Sequence, residues 1–212
     1  MLTVHHRATS QSDQNVWLCE ELEVAFELKR YERDPVTRFA PPEYGALHPI
    51  CTTPVITNGG LVVGESAAII DYVIHQHGYG RLSVAPDNAN YSDYLFWFHF
   101  ANGSFMPAAM IGMFAGILAA GGCAAVSALT QRLDRAWDMV KDRLTESPFL
   151  AGANFTAADI MSLFPLTTMR LFAPRDIAGY PNIAAYLQRI GSRKAFQRAM
   201  AKADPGFVVL LT

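Results

Sequence analysis

Residues 2–6 read LTVHH, apolar and β-branched positions that predict a first strand. The polar RATSQSDQ follows as a loop. In NVWLCEELEVAFELK the apolar residues Val16, Trp17, Leu18, Leu22 and Phe26 fall close to helical spacing and predict a first helix. FELKRYER holds a short second strand, and APPEYGALHPI is irregular or one helical turn. Two apolar runs, PVI and LVV, then flank TNGG, whose Asn and Gly tolerate the positive φ angles of a tight hairpin. The second run leads through GES into SAAIIDYVIHQHG, a helix closing at Gly78. Strands and helices in this order make a small mixed-sheet α/β unit over residues 1–80.

After a linker near residues 81–88 every periodic segment is helical, so residues 88–212 form an all-helical domain and the fold class is α/β plus all-α. ALTQRLDRAWDMVKDRL repeats apolar residues at Leu129, Leu133, Trp137, Val140 and Leu144. YPNIAAYLQRIGSRKAFQRAM predicts one amphipathic helix entered through Pro181. In NFTAADIMSLFPL, Thr156 and Asp159 have capping-box spacing, with Phe155 and Ile160 placed as a hydrophobic staple. Tyr94 to Gln131 contains no Asp, Glu, Lys or Arg. A membrane span needs about 20 apolar residues. Here Pro107 and Gly121–Gly122 predict interruptions, and no positive flank sits at either end. A buried or interface helix is the expectation, with no membrane partner.

Charge excludes some functions. Lys+Arg (17) nearly balance Asp+Glu (19), and no basic stripe suggests nucleic acid. Cys19, Cys51 and Cys123 form no CxxC pair and no metal-ligand spacing, so no metal is expected, and an odd, sparse count suits a reducing compartment. MLTVHHRATSQSDQ lacks the layout of a secretory signal.

Three places offer chemistry. Pro54 opens the first hairpin strand. A cis bond there would present the Val55 amide and carbonyl to an extended, peptide-like ligand, whereas a trans bond is the ordinary state of X–Pro. Glu65 and Ser66 sit where a helix begins; together they could grip the α-amino and α-carboxylate of an amino acid, and Ser66 could equally be a plain N-cap. Thr9, Ser10 and Ser12 put hydroxyls at the start of the first helix, either as caps or as donors to an anion such as a thiolate. One charge-assisted hydrogen bond, about 1.5–3 kcal/mol, lowers a thiol from about 8.5 to roughly 6.5–7.5.

HPICTTPVI, GESAAIIDYV, FTAADI and YPNIAAYLQRI, in this order along the chain, resemble the glutathione S-transferase superfamily, and the resemblance covers essentially the whole chain. The first loop and helix resemble those of bacterial and fungal members with a serine-type loop. The resemblance implies a thioredoxin-like domain that binds glutathione as co-substrate, followed by a helical domain holding the electrophile pocket. It implies that Pro54 is cis, that Val55 pairs with the cysteinyl backbone, and that Glu65 and Ser66 hold the γ-glutamyl end. Ser10, with Ser12 and Thr9 as alternatives, is the catalytic hydroxyl; Thr52, Thr53 and His48 complete the glutathione site. Phe96, Phe100, Phe105, Met106 and Met110 are expected to line an apolar electrophile pocket, with core or dimer packing as the alternative for each. A cytoplasmic homodimer is the implied state.

Thr52 stands where the family often has Lys or Gln. SQSDQN lacks an arginine often found there, and Asp13 brings negative charge that opposes thiol ionisation. The activity implied is conjugation of the thiolate to small apolar electrophiles, with hydroperoxide reduction beside it. The alternatives are a non-catalytic binding or interaction module of the same fold and a glutathione-dependent thiol–disulfide oxidoreductase involving Cys51.

Overall fold

The computed structural model describes residues 1–37, 39–118 and 124–212. Cys123 and the interruption expected at Gly121–Gly122 lie outside the described residues. The chain divides into two compact units, Met1–Ser83 with Ser192–Val208, and Val84–Gly191 with Val209–Thr212.

The first unit is built on a four-stranded sheet of order β2-β1-β3-β4. β1 (Leu2–Arg7) pairs parallel with β2 (Glu27–Tyr31) and antiparallel with β3 (Val55–Asn58), which turns through Gly59–Gly60 into antiparallel β4 (Leu61–Gly64). Gly59 adopts φ 62, the left-handed conformation that a two-residue hairpin loop requires and Gly adopts without steric cost. A single turn, α2 (Pro42–Gly45), lies between β2 and β3.

Alternation along β1 sends Leu2, Val4 and His6 to one face. The buried side chains of α1 (Asp13–Leu22) and α3 (Ser66–Gln76) fill the core of this unit, among them Val16, Trp17, Leu18, Ile69, Ile70, Val73 and Ile74.

The expected single C-terminal helix is two, α8 (Pro181–Gly191) and α9 (Lys194–Ala203). Together with its flanking residues, α9 groups with the first unit, a division that the expected boundary at residues 81–88 does not make. It packs on α1, with Phe196 edge-on to Trp17 at 5.1 Å, and Arg193 and Arg198 reach Glu21 and Glu20 at 2.7 and 2.8 Å.

In the second unit α4 (Tyr91–Phe100) and α5 (Met106–Ile117) form one helical run of 27 residues, joined by a π-turn at Ala101–Phe105. Pro107 was expected to interrupt this run and does not. It sits in the first turn of α5, and the wider π-turn before it accommodates the missing amide. By length and composition the run is able to cross a membrane; here Tyr94, Trp97, Phe98, Ala101 and Phe105 are buried in the protein.

α6 (Ala124–Glu146) buries Ala136, Trp137 and Val140, and all ten residues of α7 (Ala157–Leu166) are buried. The capping box forms. Thr156 Oγ1 accepts from the Ala158 amide at 3.3 Å, and Asp159 Oδ2 accepts from the Thr156 amide at 2.9 Å. Asp159 Oδ1 also accepts from the Leu150 amide and the Tyr186 hydroxyl. Removing this carboxylate strands several buried donors, at roughly 1–3 kcal/mol each, whereas losing the threonine cap costs about 1 kcal/mol. Urea denaturation is therefore expected to find Asp159→Ala several-fold more destabilising than Thr156→Ala; equal losses would contradict this.

Candidate functional site

The first unit gathers most of the expected site residues around the ends of β1, β3 and α3. The Thr53–Pro54 bond is cis. Val55, expected to present its backbone outward, is instead fully buried at 0% exposure. β3 is an interior strand, with Val55 paired to His5 on one side and Gly64 on the other, so neither side offers a free edge. The residue ahead of the proline, Thr53, lies outside the ladder and is half-buried, and Thr52 is exposed. The available backbone is therefore that of Thr53.

At α3 the expected cap is also displaced by one residue. Ser66 is the first helical residue, and Glu65 occupies the N-cap at φ 69 and ψ 123, without a side-chain cap bond. A non-glycine residue in this conformation costs of order 1–3 kcal/mol and persists where its surroundings fix it. The strain leaves the Glu65 side chain exposed, with no hydrogen-bond or ion-pair partner among the described residues. Buried Ser66 stands beside it, at a helix end whose amides favour an anion. The His48 ring packs on Gly64, where an added Cβ would lie 3.3 Å from it, and His48 Nδ1 accepts from the Ile50 amide. Cys51 is exposed, at φ 54.

The first loop departs most from expectation. Its hydroxyls do not cap α1. Ser12 holds the N-cap position, but with helical angles (φ −70, ψ −13), which direct its side chain away from the free amides. Ser10 and Ser12 are 2% and 0% exposed. Ser10 Oγ lies 2.7 Å from both the Arg7 carbonyl and Ser12 Oγ, and Ser12 Oγ lies 2.9 Å from His6 Nδ1. Thr9, at φ 53, donates its amide to both oxygens of Asp204, and its carbonyl accepts from Arg33 at 2.6 Å.

Electrostatics revise two expectations. Burial pushes the Asp13 carboxyl up, Asp204 adds to this, and the group titrates at about 8, so it is mostly neutral at pH 7 rather than opposing a thiolate. Burial also raises Asp204, but the His6 ring, the Thr9 amide and Arg30 outweigh it and hold this carboxyl below its usual range. A cation is present one strand-end away from SQSDQN: the guanidinium of Arg7 is partly buried, and its Nε has no hydrogen-bond partner among the described residues.

His6, Asp204 and Arg7 were not among the expected site residues. Period-two alternation from Leu2 and Val4 points His6 at the core face, where an imidazole needs partners. Asp204, 195 residues from Thr9, leaves no local signal.

The expected electrophile residues do not share one pocket. Phe96 and Phe100 line a groove of about 390 Å³ with Pro107, Ile111, Arg135 and Met139. Phe105 is 0% exposed and belongs to the core, edge-on to Trp137 at 5.6 Å, because the π-turn rolls it inward. Met106 packs against the cluster of Ala109, Phe164 and Met169, and Met110 is exposed on α5, outside that groove. A second cavity, about 500 Å³, lies among α5, α6 and α7, walled by Met113, Leu133, Trp137, Met169 and Phe172, with the Arg175–Asp134 pair (2.7 Å) at its edge.

Residues 10–76 match the family model described as the glutathione S-transferase N-terminal domain, and residues 124–189 match the C-terminal domain. A crystal structure of a glutathione S-transferase from Actinobacillus pleuropneumoniae is 30% identical, with a TM-score of 0.87 over 96% of this chain and 93% of that one. The chain belongs to the glutathione S-transferase family. Glutathione S-transferase 3 of Schizosaccharomyces pombe is 28% identical over 100% of this chain and 92% of its own length. A sphingomonad glutathione S-transferase solved in complex with glutathione shares the fold, at 20% identity and a TM-score of 0.74, over 95% of this chain and 98% of that one. The relatives matched along nearly their whole length are named glutathione S-transferases, and the enzyme expectation stands.

The Asp13 shift has a sign that can be measured. Its folded pKa lies above the unfolded value near 3.8, so the folded state holds the extra proton between them and this contribution to stability falls as pH rises toward 8. Asp13→Asn removes that slope. Between about pH 4.5 and about pH 7.5 the wild type is expected to lose stability relative to the variant, by up to about 1.4 kcal/mol per pH unit. Parallel curves in urea would contradict it.

Proposed function

We propose that the protein is a cytoplasmic glutathione transferase that joins the glutathione thiolate to small apolar electrophiles, the same thiolate also serving hydroperoxide reduction. The observation that carries this reading is Glu65, a strained, exposed and unpartnered carboxylate beside Ser66 at the head of α3. A strained backbone that leaves a charge unpaired is a poor folding device and a good ligand clamp. Glu65 would hold the γ-glutamyl ammonium, and Ser66, with the α3 amides, its carboxylate.

Thr53, set by cis-Pro54, would pair its free backbone with the cysteinyl residue, replacing Val55 in that role. Thr52, His48 or the Arg7 guanidinium would serve the glycyl end. Ser10 would contact the sulfur.

The electrophile would take the 500 Å³ cavity, whose walls are mostly apolar with one ion pair at the rim. Phe96, Met110, Phe114 and Met139 are exposed on α4, α5 and α6; a second copy of the chain covering them accounts for that apolar surface.

Glutathione at about a hundred times its Kd stabilises a protein by about 2.7 kcal/mol, so the melting temperature is expected to rise by roughly 5–10 °C. No rise would overturn the reading. Glu65→Gln is expected to weaken glutathione roughly tenfold to a hundredfold by calorimetry, the value of one or two charge-assisted hydrogen bonds.

A further inference from the structure

We propose that His6 is the terminal base of a buried proton relay, Ser10 to Ser12 to His6, with Asp204 holding the far side of the ring. The inference rests on the reading that a glutathione thiol docks at Ser10. Its geometry is an unbroken chain inside the first unit: Ser10 Oγ to Ser12 Oγ 2.7 Å, Ser12 Oγ to His6 Nδ1 2.9 Å, and His6 Nε2 to Asp204 Oδ2 3.2 Å. The last is an ion-pair contact rather than a well-aligned hydrogen bond. All four residues are buried, so bulk water does not compete for these groups.

Asp204 favours a proton on Nε2, which leaves a lone pair on Nδ1 to accept the Ser12 hydroxyl. Ser12 Oγ in turn accepts the Arg7 amide at 3.1 Å and lies 2.7 Å from Ser10 Oγ, whose hydroxyl donates to the Arg7 carbonyl at 2.7 Å and turns to Ser12 as the thiol docks. Ser10 then has lone pairs for an incoming S–H. In one concerted step the S–H bond breaks and its proton passes to Ser10, the Ser10 proton to Ser12, and the Ser12 proton to His6 Nδ1. Three bonds to hydrogen break and three form, and the S–H electron pair stays on sulfur.

The result is a thiolate and an imidazolium facing Asp204. Every hydroxyl is now reversed: Nδ1–H donates to Ser12, Ser12 to Ser10, and Ser10 to the thiolate. One chain thus removes the proton and supplies the donor that stabilises the anion. When the sulfur pair bonds to the electrophile and the leaving group departs as an anion, the proton returns along the chain to water.

The charges facing His6 suit this role. Asp204 comes from the end of α9, and Arg30 of β2 lies 3.6 Å from that carboxylate. Asp13 on α1 is held mostly neutral, and Arg33 is engaged by the carbonyls of Ala8 and Thr9. His5 and Arg7 point to the other face of β1.

The test compares wild type with His6→Asn, which offers an amide close to Nδ1 but no titratable nitrogen, and with Ser12→Ala, which cuts the chain midway. Glutathione is the probe. Calorimetry gives its Kd, and far-ultraviolet difference absorbance gives the bound thiolate fraction across pH. Both variants are expected to keep Kd within about threefold, lose bound thiolate at neutral pH about tenfold, and move the ionisation limb of kcat/KM upward by at least about one unit. Variants that keep the wild-type thiolate fraction and pH profile would overturn the relay, as would a large loss of binding with the thiolate fraction preserved. A wild type that binds no glutathione overturns the underlying reading, and the relay with it. Imidazole nitrogen resonances of wild-type His6 provide a readout without any variant: they are expected to become those of an imidazolium when glutathione is added, and a ring that stays neutral would overturn the proposal.

Discussion

Asp204 bolts the first loop in place. Its two oxygens take the Thr9 amide, one of them faces the His6 ring, and Arg30 approaches from β2. Thr9 is a β-branched residue at φ 53, a conformation that a free loop would abandon. Arg33, clamped on the carbonyls of Ala8 and Thr9, makes the same demand from the other side. The loop is thereby overdetermined, and the positions of Ser10 and Ser12 follow from it. This explains why α9 belongs with the sheet rather than with the other helices: it carries the carboxylate that fixes the loop, and it seals α1 through Phe196 and two arginines.

A second strained point, Glu65, works by the opposite means. The first loop buries the hydroxyls of Ser10 and Ser12 and bonds them to each other and to the Arg7 backbone. The head of α3 leaves a charge unsatisfied in the open, on a hairpin whose register is fixed by β1 and β3. Between the two, the ladder starts at Val55, and Thr53, joined to Pro54 by a cis bond, lies outside it. A peptide-like ligand needs groups of these three kinds: one for its charged end, one for its backbone and one for its reactive atom.

Much of this was legible in the sequence. The hairpin, the mixed sheet, the uniform helicity after the linker and the Thr156–Asp159 capping box follow from local spacing, and local spacing is what a sequence displays directly. The shifts of two residues, from Val55 to Thr53, and of one, from Ser66 to Glu65, arose because the pattern marks where a strand or helix lies, not which flanking residue remains outside it. The hydroxyl directions in the first loop were not legible, since Asp204 reaches Thr9 across 195 positions. Nor was the grouping of aromatic residues in the long helix. The π-turn changes the angular spacing, so Phe96 and Phe100 face a groove while Phe105 enters the core.

The most direct measurement is a crystal structure of the full chain with glutathione. It should place the γ-glutamyl group on Glu65 and Ser66, the cysteinyl backbone against Thr53, and the sulfur within hydrogen-bond reach of Ser10 Oγ, with the Ser10–Ser12–His6 chain unbroken. Glutathione bound elsewhere, or its sulfur turned away from Ser10, would contradict the account.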